Sequence, residues 1–419
     1  MSYDHETNSK EKSIDKLINI TKHIMFMYTR RCFAHVDQAL FAVERHCEHT
    51  IVFDCGGEDQ SIVNKAIDEV LSDEEIIDIL FVSHYDSDHI NGIQHLLMTH
   101  QVRHIVLPMI AEPAKAFMVK TLEEEGDAEA SNFALNPAKT IREFVEKTSK
   151  EIKANHPRIH FVSPWYETTN NDLRDNENEG YPIVRDIDEL DSGNIPAGVA
   201  LSIGALYEEC RECIRNSVNK CPCRWIYLPF NRSIMTPKQE QTFWAELQMP
   251  TNSKCDDVLR NWDNIQKDIK TAWSTATGIK KAYINDYSMT LYSGCRKGGH
   301  FSACLFTGDY NASAYIKDLH KAYKLLWGNI SVMQIPHHGS EKFFHEDLII
   351  HHGAHIISNS NQPKTSKKVN DTIVLNQILS RGEFVAKSSH QHINIPGDYY
   401  GYPYWIIDDC WHCRQCRHC

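Results

Sequence analysis

No stretch of this chain approaches the roughly 20 consecutive apolar residues that a membrane-spanning helix needs, so the sequence does not read as a helical membrane protein. The opening residues, MSYDHETNSKEKSIDK, are polar and hold no apolar core of the secretory kind. The expectation is a soluble, cytoplasmic protein with no membrane partner. Any long block of Lys and Arg is also missing, and the formal charge is −12. A protein that grips long nucleic acid through its phosphates usually shows a basic face. The charge is a weak argument, because bound divalent ions change the local field and a basic groove can hide within an acidic total. No internal repeat at a fixed period is present.

Cysteine is plentiful, at 14 residues, but without a secretory signal a disulfide framework is not expected. Cys32, Cys47, Cys55, Cys255, Cys295 and Cys304 are scattered and read as reduced, mostly buried small hydrophobes. The other cysteines fall in two tight clusters. Cys210, Cys213, Cys221 and Cys223 are spaced C-x₂-C-x₇-C-x-C, and four thiolates this close can hold a tetrahedral structural Zn²⁺. The plain alternative is reduced thiols on a helix and a strand. Cys410, Cys413, Cys416 and Cys419 step by three through DDCWHCRQCRHC. That tail suits Zn²⁺ or, less well, an iron–sulfur cluster; disorder or oxidative cross-linking is the alternative.

With 419 residues, 42% hydrophobic and 24% charged, the chain can bury a large core. HIMFMYT, ALFAVE and HTIVFDCGG read as successive antiparallel strands. SIVNKAIDEVLSDE has helical spacing, with Ile62, Ala66, Val70 and Leu71 on one face. IIDILFVS is an almost wholly apolar strand that runs straight into His84. INGIQHLLMTHQ follows as a short helix and VRHIVLP as a further buried strand. This is the rhythm of a layered α/β fold. From 110 to 281 the pattern loosens into helices (PAKAFMVKTLEEE, PAKTIREFVEKTSKEIKAN, CDDVLRNWDNIQKDIKTAW), one short strand (RIHFVSP) and an acidic, Asn-rich loop. We read this part as a large, mostly helical insertion within one domain spanning 15–400, followed by a Cys/His-rich tail at 405–419. The strand rhythm resumes with AYINDYSMTLYSG and HFSACLFTGD. A helix, the strand ISVMQIP, a helix-like HEDLIIHHG, the strand HIISNS, and TIVLNQILSRG with EFVAKSS complete the unit.

His84, Asp86, Asp88 and His89 lie within six residues directly behind a strand too apolar to be exposed. A strand end places side chains repeatably, and two imidazoles with two carboxylates there supply nitrogen and oxygen ligands for divalent metals. A solvated turn is the bland reading, and the density of ligand types outweighs it. Asp309 ends the apolar strand ACLFTGD, and His337 and His338 end SVMQIP. Three polar stops after three apolar strands suggest one mouth at one edge of a sheet sandwich.

SHYDSDHINGI resembles the His-x-His-x-Asp-His signature of the metallo-β-lactamase superfamily, with Asp in place of the second His. Together with VFDCGG, VRHIVLP, NDYSMTL, FTGD and HHGS, in that order, it closely resembles the hydrolase domain of competence DNA-uptake (ComEC-type) proteins. The blocks cover residues 22–108 and 282–395. The resemblance implies an αβ/βα sandwich with two divalent ions drawn from Mn, Mg, Fe and Zn. It implies His84 and Asp86 on one ion, Asp88 and His89 on the second, and Asp309 bridging. Asp54 would support the ligands from behind, Asn285 and Ser288 would organise the loop or a phosphate, and at least one of His337 and His338 would face the site. Asp86 in place of an imidazole makes its position harder and more anionic, which favours Mn²⁺, Mg²⁺ or Fe²⁺ while leaving Zn²⁺ open. Asp88 is the natural proton acceptor for an activated water.

The chain departs from that pattern in one segment. Competence-type domains carry Gly-His-Pro after the strand matching HIISNS, and here the text is NSNQPKTSKK. Asn361 or another group serves there, or one metal is held more weakly; His390 and His392 are the candidate substitutes. The membrane channel that accompanies such domains is also missing, which bears on the biological role rather than the chemistry. The leading expectation is a nuclease-like phosphodiesterase. The alternatives are a hydrolase of a small substrate (a cyclic nucleotide, phosphate ester, lactone or β-lactam) and a regulatory protein with a vestigial metal site. In that last case the insertion or the tail would bind a protein partner.

Overall fold

The structure is a computed structural model that describes residues 29–46, 48–148, 156–166, 182–204, 225–279, 284–296, 303–359, 371–388, 391–396 and 406–407. The expected strand HIMFMYT falls almost wholly outside these residues, as do Cys47, Asn361, His390 and both cysteine clusters. No helix among the described residues is long and apolar enough to cross a membrane.

The first half builds one sheet. β1 (Arg30–Phe33), β2 (Phe41–His46) and β3 (His49–Cys55) run antiparallel. β4 (Ile77–Phe81), β5 (Val102–Pro108) and β6 (Arg158–Val162) then add in parallel to β3. Two-residue alternation decides what each face buries. Ile51 and Phe53 of β3 face the second sheet, whereas Val52 and Cys55 face helices on the outside. β4 is buried on both faces, with Ile79 and Phe81 inward and Leu80 outward, which explains its almost wholly apolar text.

The region read as a large insertion within the domain contributes strands to both sheets. It is mostly helical, but β6, β7 (Val184–Asp186), β8 (Gly193–Ile195), β9 (Ala200–Ser202) and β10 (Trp225–Phe230) belong to the two sheets. Three-residue strands, and one buried along its whole length, carry almost no periodic signal, so only RIHFVSP was legible among them. β11 (Thr290–Cys295), β12 (Ala303–Phe306), β13 (Ile330–Gln334), β14 (Ala354–Ile357) and β15 (Phe384–Lys387) extend the second sheet, the last four parallel. β16 (Ile393–Pro396) and β17 (Ile406–Ile407) return to the first, giving nine and eight strands among the described residues.

Helices cover both outer faces. α1 (Gln60–Val70), α2 (Ser87–Ile90), α3 (Ile93–Thr99), α4 (Glu112–Glu124), α5 (Ala128–Leu135) and α6 (Pro137–Glu146) lie on the first sheet's side. The same layer holds α7 (Pro237–Glu246), α8 (Cys255–Arg260) and α9 (Trp262–Thr277). Thr236 and Gln239 form a capping box that starts α7, and Gly278, at φ 74°, ends α9. CDDVLRNWDNIQKDIKTAW is thus two helices broken at Asn261 rather than one. Phe117 packs 4.8 Å from Trp273 and 5.9 Å from Trp262, joining this layer into one core. α10 (Ala312–Ala322) and α11 (Thr372–Ser380) cover the second sheet. The result is the αβ/βα sandwich.

Two local expectations change. Of the expected face Ile62, Ala66, Val70 and Leu71, Ala66 and Leu71 are buried, whereas Val63 and Ile67 take the places of Ile62 and Val70, Val63 seating against Gly57 and Gly92. The helix-like HEDLIIHHG forms only a short 3₁₀ turn at Glu346–Leu348, with His351 and His352 beyond it. They are exposed, and Glu383 holds His351 Nδ1 (3.0 Å) and the backbone N–H of His352 (2.9 Å).

Candidate metal centre

The loops after β3, β4, β12, β13 and β14 meet at one edge of the sandwich. A backbone bond joins the two sheets there, from Met289 N–H to the Ser83 carbonyl (2.8 Å), and within the first sheet's loops Leu40 N–H donates to the Asp88 carbonyl (3.2 Å). The backbone of Asp88 lies so close to Gly56 that a Cβ there would sit 2.1 Å from it, so only glycine fits.

Asp54, at φ 55°, turns its carboxylate beneath the motif loop. Aspartate is among the side chains that tolerate this backbone region. Oδ1 accepts the Ser83 N–H (2.6 Å) and Oδ2 accepts the Ser83 hydroxyl (2.7 Å). Oδ2 also lies 2.8 Å from His89 Nδ1. Because the Ser83 hydroxyl donates to Asp54, its lone pair is what meets His84 Nδ1 at 2.9 Å. His338 Nδ1 faces the Ser358 carbonyl at 2.9 Å. These partners assign the tautomers of three imidazoles: each commits an Nδ1–H to an acceptor and turns Nε2 inward, as metal-bound histidines do.

The inward atoms converge on Asp309. Its Oδ1 is 3.2 Å from His89 Nε2 and 3.8 Å from His338 Nε2. Its Oδ2 is 3.9 Å from His84 Nε2, is bonded to His337 Nδ1, and accepts from Asn285 Nδ2 at 2.7 Å. Asn285 Nδ2 also reaches His337 Nδ1 (2.8 Å), and the Ser288 hydroxyl accepts the Asp309 N–H (3.0 Å). Asp86 Oδ2 lies 3.4 Å from His84 Nε2, and Asp88 Oδ2 lies 3.1 Å from His338 Nε2 and 3.9 Å from His89 Nε2. The structure thus brings His84, Asp86, Asp88, His89, Asp309, His337 and His338 together, with Asp54, Asn285 and Ser288 directly behind or beside them.

This arrangement fits divalent ions. Buried polar groups are normally hydrogen-bonded, yet His84 Nε2, His89 Nε2, Asp86 Oδ1 and Asp309 Oδ1 are buried without a hydrogen-bond partner. His84, His89 and Asp309 offer ligand atoms within 4.8 Å of one another, and so do Asp88, His89 and His338. Three carboxylates confined with buried imidazoles also call for positive charge. Burial alone pushes His89 down, but Asp309, Asp88 and Asp54 outweigh it and raise the imidazole well above its ordinary value. Burial pushes Asp309 up, and His337, His89 and His338 overcome it to hold the carboxyl well below the usual range. Asp88 follows the same logic: burial opposes ionisation, and His89 and His338 bring the group to about 2.

His392 is not part of this centre. Its Nδ1 accepts the His35 N–H (3.0 Å) and its Nε2 lies 3.4 Å from Glu69, so it cannot replace the missing Gly-His-Pro histidine. Two supports escaped the sequence reading. Gln334 accepts the N–H groups of Thr307 (2.7 Å) and Gly308 (2.8 Å), pinning the turn that carries Asp309. A glutamine inside the apolar SVMQIP was the available signal. Ser358 acts through its backbone carbonyl, which leaves no mark in a sequence.

Residues 38–169 match the model of the metallo-β-lactamase superfamily, a span that holds β2 to β6, Asp54 and the motif loop. The chain therefore carries a metallo-β-lactamase superfamily domain, and its two-sheet architecture agrees with that fold. The match stands at the level of the superfamily and does not single out the competence-type branch. Among solved structures, the chain is similar to human tRNase Z, short form, at 12% identity and TM-score 0.33, over 87% of this chain and 98% of that one. It is also similar to the peroxy diiron species of the chemotaxis sensor ODP, at 21% identity and TM-score 0.16, over 22% of this chain and 37% of that one. At these scores neither likeness bears on activity. No curated protein matches the chain.

Proposed function

We propose that this chain, with its metallo-β-lactamase superfamily domain, is a metal-dependent hydrolase of phosphodiester bonds. One observation carries the reading: the two oxygens of Asp309 face two different sets of ligand atoms. His84, Asp86 and Asp309 Oδ2 would hold one divalent ion. Asp88, His89, His338 and Asp309 Oδ1 would hold the other. His338 is the ligand of the histidine pair, because its Nδ1–H is committed to Ser358 and its Nε2 faces Asp88. Ions bound there supply Lewis acidity to a phosphoryl oxygen and make a water acidic enough to ionise near neutral pH.

The protein's own residues shape the approach to this pair. The side chains of His84, His89, Asp309 and His338 are at most 3% exposed, whereas Asp86, Asp88 and His337 are 24%, 31% and 24% exposed. Substrate and water therefore meet the centre over Asp86, Asp88 and His337. Asp88 takes the water's proton on this open side. His337, packed 4.2 Å from Phe343 and steadied by Asn285, borders the substrate.

The oxygen-rich donor set suits Mn²⁺ or Mg²⁺ and admits Fe²⁺ or Zn²⁺. Ions held by these two sets would supply the Lewis acidity that in-line displacement at phosphorus needs, in keeping with the competence-type motif set. The charge of −12 favours a second reading, a small phosphodiester or related ester rather than a polynucleotide. A vestigial centre is the weaker alternative, since both ligand sets are intact. The test is metal analysis of the purified chain, with assays on labelled single- and double-stranded DNA, RNA and a generic phosphodiester in Mn²⁺, Mg²⁺ and Zn²⁺. Activity that depends on metal and vanishes in Asp88→Ala is expected. A chain that takes up no metal, or activity indifferent to that substitution, ends the proposal. Turnover of the generic ester without cleavage of DNA or RNA moves it to the small substrate.

A further inference from the structure

The metal-ligand run has a second face. His84, Asp86 and Asp88 point into the centre, while the residues between them, Tyr85 and Ser87, reach the helical layer. The Tyr85 hydroxyl donates to the Pro108 carbonyl (2.8 Å), and its ring packs 5.5 Å from Phe133 of α5. The Ser87 hydroxyl donates to Oδ2 of Asp127, the residue that caps α5. The other oxygen of that carboxylate, Oδ1, accepts the Ala130 N–H at 3.0 Å and closes the first turn of the helix. One side chain thus starts α5 and holds the metal loop.

Asp86 sits between these two anchors and has little else to fix it. Its side chain makes no capping hydrogen bond to α2, and its Oδ1 has no partner. Asp88 follows directly after Ser87. The hydrogen bond from Ser87 to an anionic carboxylate is of the stronger, charge-assisted kind, and it acts on the backbone between two ligands. Support of this sort behind a metal ligand is typically worth about 10- to 100-fold in affinity.

We propose that Asp127 is a positioning residue for the metal centre, acting through Ser87 to set Asp86 and Asp88. The inference rests on the metal reading above and makes the helical layer part of the site's machinery. Ser87→Ala removes the contact from one side. Asp127→Ser removes it from the other while keeping a residue type that caps helices well. Mn²⁺ affinity is measured by calorimetry on chelator-treated protein, alongside the melting temperature of the metal-free form. Each single variant is expected to bind Mn²⁺ about tenfold more weakly, with metal-free melting close to the parent. The double variant is expected to be no weaker than the worse single one, and Ser87→Thr, which keeps the hydroxyl, to bind as the parent does. Parental Mn²⁺ affinity in Ser87→Ala, or single effects that add in the double variant, overturns the positioning role. If the parent chain itself takes up no Mn²⁺, it is the metal reading that fails.

Discussion

Asp54 Oδ2 lies 2.8 Å from His89 Nδ1, and both side chains are fully buried. The pair has one consequence at each end. It directs His89 Nε2 at Asp309, and loss of the histidine leaves the buried Asp54 carboxylate with Ser83 as its partner. Asp54→Asn keeps the shape but exchanges an anionic acceptor for an amide. Metal affinity is expected to fall about 10- to 100-fold, read by competition with a chromophoric chelator. Unchanged affinity would show that the histidine needs no such support.

The two adjacent histidines are expected to separate by what they lose. His338→Ala removes an inward Nε2 from one ligand set and should lower the metal content of the purified chain. His337→Ala leaves both ligand sets in place and should lower turnover, with metal content retained. Elemental analysis alongside kcat distinguishes them. The reverse pattern would exchange their roles.

Ions that bind the folded chain alone must also stabilise it. At a free concentration of about 100 times Kd, one site contributes about 2.7 kcal/mol. Chelation should therefore lower the melting temperature, and Mn²⁺ or Zn²⁺ should restore it. Asp309→Asn, which weakens both ligand sets together, should abolish most of the restoration. A variant that responds like the parent would place the ions elsewhere.

Away from the centre, His46 makes a prediction about acid. Burial, with Arg31 and His49 adding to it, pushes its imidazole down to about 3. The unfolded chain regains the ordinary value of about 6.5. Below that pH the unfolded state takes up a proton that the folded state refuses, so stability falls as pH drops from about 6.5 towards 3. The slope is about 1.4 kcal/mol per pH unit for this group. Urea midpoints at pH 7 and pH 5, both with chelator, should show the decline, and His46→Asn should reduce it. An equal decline in the variant would assign the effect to other groups.

The chemistry of the centre was legible because it is local. His84, Asp86, Asp88 and His89 stand in one short run behind a strand whose apolar text requires burial on both faces. Asp309 and His338 each end a strand of the same kind. Asp54 was legible for the same reason, at the end of HTIVFDC. The three-residue strands of 184–202 were not, because each is too short to show a period, and they acquire a sheet only when neighbours pair with them. The polar faces of Tyr85 and Ser87 were equally silent, since their partners lie far along the chain.

The sequence by itself determined which ligand types this protein carries and that apolar strands bring them to a common edge, since strand period and burial follow from local composition. Only the tertiary structure decided how they divide. The two oxygens of Asp309 face separate sets, His338 rather than His337 turns Nε2 inward, and His392 is held elsewhere. Those outcomes depend on which distant carbonyl or carboxylate claims each Nδ1–H, and hydrogen-bond direction between remote segments exists only once the chain has folded.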